Sequence, residues 1–60
     1  MEGTESFFIV YANLPIEERD KVVIVIDNEP ISWNIAYQEI KNKTKRGEKI
    51  LNTLKKLEII

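Results

Sequence analysis

Hydrophobic and polar positions follow two different patterns along the chain. The first half carries unbroken apolar runs, and the second carries apolar residues at helical spacing. Phe7-Phe8-Ile9-Val10-Tyr11-Ala12 is aromatic and β-branched, which predicts a strand over residues 6–12. Asn13-Leu14-Pro15 breaks it. Pro15 has no N–H to lose and suits the first position of a single helical turn, whose positive end Glu17 and Glu18 complement. Val22 to Ile26 are consecutive β-branched residues, so a second strand is expected over 21–27. Asp27-Asn28-Glu29-Pro30 is turn chemistry, because Asp and Asn tolerate left-handed dihedrals. Ile31 adds a short third strand.

The period then changes. Ser32 is a good helix N-cap, since its hydroxyl accepts from an orphan N–H. Trp33, Ala36, Tyr37 and Ile40 follow at helical spacing, broadened by Ile35, and predict a helix over 33–42. Thr44 reads as a second N-cap, opening a helix over 45–57. Its stripe is Ile50, Leu51, Leu54 and Leu57, with Lys45, Lys49, Asn52, Lys55 and Lys56 off it. One unbroken helix through Gly47 is the competing reading, at a cost of about 1 kcal/mol for the glycine. Two caps and a polar centre favour two helices. Residues 1–5 lack apolar anchors and are expected to fray. The fold class is therefore α+β. Residues 1–60 form a single small β-β-(β)-α-α domain, an antiparallel β-hairpin packed against two short C-terminal helices, with strands 6–12 and 21–27 as neighbours.

These strands do not alternate apolar with polar, as a sheet covered on one face should. Phe7, Ile9 and Tyr11 would point one way and Phe8, Val10 and Ala12 the other. Val23 and Val25 would oppose Val22, Ile24 and Ile26. Two helices cover one face, so the other is expected to meet a partner. Phe8, Val10, Val23 and Val25 become interface candidates. Trp33 and Tyr37, one turn apart on one helix face, join them, because such residues pack well in cores and interfaces.

Composition narrows the chemistry. Sixty residues, 43% of them apolar, make one domain that buries only about 60% of its unfolded surface, so a partner would help it. The sequence has no Cys and no His. Disulfides, the common zinc sites and catalysis by imidazole or thiolate are excluded. No apolar run approaches the roughly 18 residues of a membrane span. Absence of cysteine fits a reducing cytoplasm, and ten Ile, seven Lys and eight Glu against one Gln resemble thermophile composition. The only glycines are Gly3 and Gly47, so there is no phosphate-binding loop. Asp27-Asn28-Glu29 lacks calcium-loop spacing. Glu17 and Glu18 are adjacent rather than convergent, and Ser6 and Ser32 have no base partner. The expectation is no enzyme activity, cofactor, metal or small-molecule substrate, and no membrane.

Net charge is −1 but unevenly spread. Residues 1–40 hold eight carboxylates against two cations, a net of −6, and residues 41–60 hold seven cations against two carboxylates, a net of +5. Such asymmetry marks either a basic face or two halves that attract each other. Thr44 to Ile60, with Lys45 and Arg46 at its start and an Ile-Leu-x-x-Leu-x-x-Leu stripe, resembles the recognition helix of winged helix-turn-helix proteins. That resemblance implies that Lys45, Arg46, Lys49, Asn52 and Lys56 face phosphates or base edges. The sequence departs from that pattern in its N-terminal strands, in the wing expected after the helix, and in net charge. A ribbon-helix-helix dimer would need polar outward residues on its strand, and Val22 to Ile26 offer none. The functional expectation is a non-enzymatic protein-interaction module: a homodimer or an accessory subunit of a larger intracellular assembly, with a machine acting on nucleic acid as a natural host. The alternative is a dimeric DNA- or RNA-binding regulator using the second helix.

Overall fold

The computed structural model describes residues 2–60. They run in the order α1 (Thr4–Ala12), a 3-10 turn (Ile16–Glu18), β1 (Val22–Ile26), β2 (Glu29–Ser32), α2 (Trp33–Lys41) and α3 (Lys45–Lys56). An antiparallel hairpin followed by two helices makes this a small α+β domain.

The hairpin follows from its turn. Asp27 and Asn28 adopt φ of 51° and 68°, the pair of positive values that a two-residue type I′ turn needs and that Asp and Asn tolerate. Ile24 pairs with Ile31, Val25 with Pro30 and Ile26 with Glu29. A register shift between Val22 and Ile24 marks a bulge at Val23. Ile24, Ile26 and Ile31 point into the core, and Val25 and Pro30 point to solvent.

Both expected caps are in place. Ser32 Oγ accepts from the Ile35 N–H at 3.1 Å and opens α2. Thr44 Oγ1 accepts from the Gly47 N–H at 2.8 Å and opens α3. Thr44 also donates to Glu39 Oε1 at 2.5 Å, which ties the start of α3 to the end of α2. The helices end within a residue of their expected limits, and Lys43 at φ 55° makes the break between them. Phe7 of α1, the three strand isoleucines, Ala36 and Ile40 of α2, and Ile50, Leu51 and Leu54 of α3 form one core. Leu57, expected on the same stripe, lies past the end of α3 and is 57% exposed.

The strand expected over 6–12 is instead the helix α1. Its sequence is apolar at almost every position, so it satisfies a period of 2 and a period of 3.6 alike. Two physical facts select the helix. β1 finds a partner in β2 across a two-residue turn, a far shorter closure than pairing back to residue 6 would need. Helical spacing also puts Phe7 and Tyr11 on one face, where their rings stack at 6.2 Å and Phe7 meets Trp33 at 6.0 Å. The fraying expected at residues 1–5 is corrected in part. Thr4 and Glu5 belong to α1, the Phe7 N–H bonds Gly3 O at 3.0 Å, and Lys55 Nζ donates to Glu2 O at 3.2 Å. Met1 lies outside the described residues. The turn expected to begin at Pro15 is shifted by one residue, with Pro15 as its N-cap.

Candidate interaction surfaces

α1 is apolar around most of its circumference. Six of its nine residues, Phe7 to Ala12, are apolar, and of these only Phe7 is fully buried. Glu5, Ile9 and Ala12 are exposed and Phe8 is half-buried. Positions 5, 8, 9 and 12 share one helical face. Ile9 is 57% exposed on it.

Beside this face lies a cleft of about 480 Å³ between α1 and α2, lined by Phe8, Tyr11, Ala12, Arg19, Tyr37 and Lys41. Aromatic stacking builds it. The Tyr11 and Tyr37 rings lie 4.5 Å apart at 18°, and Phe8 meets Tyr37 edge-on at 5.5 Å. Both cations sit over these rings. The Arg19 guanidinium carbon is 4.4 Å from the Tyr11 centroid, and Lys41 Nζ is 5.7 Å from that of Tyr37. Arg19 Nη2 also donates to Tyr11 O at 3.3 Å. No carboxylate lines the cleft, and neither cation has an ion-pair partner among the described residues.

Asn34 holds this arrangement together. It accepts from Tyr11 Oη at 2.6 Å, donates through Nδ2 to Asp20 Oδ1 at 2.6 Å, and gives its backbone N–H to Arg19 O at 2.9 Å. The 3-10 turn and the loop bearing Arg19 are thereby fixed to α2.

The sequence-derived interface candidates separate into two groups. Phe8, Trp33 and Tyr37 gather in the aromatic region, half-buried, with Val10 half-buried on α1. Val23 and Val25 lie on the hairpin. Val23 packs against the core, and Val25 is 61% exposed beside exposed Pro30 on the outer face. The expectation that Phe8 and Val10 share a sheet face with Val23 and Val25 is corrected, because the former stand on a helix.

The basic helix meets acidic neighbours. Lys49 Nζ reaches Asp27 at 2.8 Å and Arg46 Nη2 reaches Glu29 at 2.8 Å, so two cations of α3 pair with carboxylates of the hairpin. A third pair, Lys21 with Glu18, is local. The split in charge is thus used partly inside the fold. Each exposed pair is worth at most about 1 kcal/mol. Lys45, Asn52 and Lys56 remain exposed, and Glu48 stands in the shallow depression bounded by Lys45, Lys49 and Asn52.

Among the described residues no three His, Cys, Asp or Glu side chains converge for a metal ion, and no helix is long and apolar enough to cross a membrane. Ser32 is engaged as a cap and Glu18 as an ion-pair partner. Compared with protein-family models, curated proteins and solved structures, the chain matches none.

Sequence reasoning did not single out Arg19, Asn34 or Lys41. Arg19 and Lys41 stand far apart in the chain and belong to no local motif, so only the packing of α1 on α2 makes them neighbours of one cleft.

Proposed function

We propose that this chain is a non-enzymatic protein-interaction module that associates through α1, as a homodimer in its simplest form or as an accessory subunit of a larger assembly. The observation that carries the reading is the free apolar face of α1. A helix apolar around most of its circumference is normally enclosed, and in this one a single residue is fully buried. Phe8 and exposed Ile9 on this face, with Tyr11 and Tyr37 in the cleft that adjoins it at Phe8 and Ala12, supply the aromatic and aliphatic anchors typical of an interface centre. The outer hairpin face carries Val25 and Pro30 and ends at the exposed polar turn.

A nucleic-acid role for α3 has less support. Phosphate contacts through Arg46 and Lys49 would first have to break their pairs with Glu29 and Asp27, and Glu48 would face the phosphates.

Light scattering from about 1 µM to about 1 mM tests the reading, a range that spans weak and moderate complexes. The expected result is a dimer that Ile9→Glu converts to a folded monomer and Val25→Lys leaves intact. A monomer at every concentration, or a dimer that survives Ile9→Glu, overturns α1 as the self-contact.

A further inference from the structure

Resting on that reading, we infer that α1 pairs antiparallel with α1 of a second copy of this chain, and that each Glu5 carboxylate crosses to Arg19 and Lys41 of the other copy.

The geometry comes from the helix itself. At 1.5 Å per residue, Glu5 and Ala12 stand roughly 10 Å apart along α1, on nearly the same line of the surface. A two-fold axis passing between Phe8 and Ile9 therefore lays Glu5 of one copy over Ala12 of the other, twice. Phe8 of each copy meets Ile9 of the other at the centre. Ala12 is small enough for close approach, and it borders the cleft that holds Arg19 and Lys41.

Charge selects this direction. Glu5 is exposed and has no ion pair among the described residues. The cleft offers two cations without a carboxylate. A parallel pair would place Glu5 on Glu5 and gather four cations around the two Ala12 residues. The antiparallel pair removes both repulsions and sets the two helix dipoles antiparallel, each positive end beside the other's negative end. The contact fills an isologous interface, in which one patch serves both copies.

Its size places it among the weak contacts. A standard complex buries about 800 Å² per partner, roughly a fifth of this chain's 4151 Å² surface. One nine-residue helix and its flanking cleft supply less, so the dissociation constant is expected in the micromolar range.

A charge-reversal cycle read by sedimentation equilibrium tests the pairing. Because each contact occurs twice, Glu5→Lys and Lys41→Glu should each weaken the dimer about tenfold or more. The double variant should return to within about threefold of the original constant, which is within the spread of exposed ion-pair contributions. Mixing the two single variants should give a heterodimer with both contacts restored, a rescue that misfolding could not produce. Overturning results are single variants that associate as tightly as the parent chain, or a mixture that stays monomeric. If Ile9→Glu still dissociates the dimer in that case, α1 remains the contact and only the antiparallel register falls. If the parent chain does not associate at all, α1 as the self-contact falls together with the pairing.

Discussion

Gly47→Ala should destabilise this protein, although the same change in an isolated helix would stabilise it. Gly47 is buried in the first turn of α3. A Cβ built there collides with the Glu39 carbonyl oxygen and lies 2.6 Å from its carbon and 2.9 Å from the Ile40 amide nitrogen. All three atoms are backbone of α2, so no rotamer change relieves the contact and the two helices must move apart. Overpacking of a core costs about 1–3 kcal/mol, and a backbone obstacle argues for the upper end. Helix propensity returns about 1 kcal/mol. The net loss is about 2 kcal/mol. At about 4–8 °C per kcal/mol for a domain of this size, Tm falls by roughly 10 °C. A scaffold this small has only about 3–5 kcal/mol in total, so the loss is easy to read. Thermal and urea unfolding followed by far-UV circular dichroism measure it. A variant with an equal or higher Tm would refute the close approach of α2 and α3, since one continuous helix through residue 47 would gain from alanine.

Thr44→Ala removes both the cap on the Gly47 N–H and the bond to Glu39, and should lower unfolding free energy by about 1–2 kcal/mol in urea titration. Asn28→Gly should raise stability by about 0.5 kcal/mol and Asn28→Val lower it by at least about 1 kcal/mol, because residue 28 holds φ of 68°. Equal stability of the two Asn28 variants would argue against the two-residue turn.

What could be read in advance was local. Ser32 and Thr44 cap helices through bonds to residues three positions on, and the Asp27-Asn28 turn depends on its own two dihedrals. Val22 to Ile26 are β-branched throughout, which leaves the helix little to offer. α1 was not legible for the opposite reason. Residues 7–12 suit either period, and the choice is made by Trp33 and Tyr37, more than twenty positions away. The alternation assigned Phe8 and Val10 to a sheet face that does not exist, and the apolar residues it counted there belong to a third helix. The cleft cations were invisible because each is unremarkable alone.

The way α1 is held links its folding to its association. Its attachments include one buried phenylalanine, ring contacts to α2, the Tyr11–Asn34 bond, the Arg19 contacts to Tyr11 and, just before the helix, the Lys55 contact to Glu2 O. The hairpin and α2–α3 contribute every other member of the core. Among the α-helices and strands, α1 therefore has the fewest fully buried groups per apolar residue, and local opening favours such elements. A second copy laid across Ile9 and Phe8 would enclose what the chain alone leaves wet. By mass action it would then stabilise the docked form of α1 over the open one. The apolar excess that makes α1 hard to read as a sequence is, on this argument, the same property that lets it serve as a contact. A polar outer face would make the helix legible and remove its reason to pair.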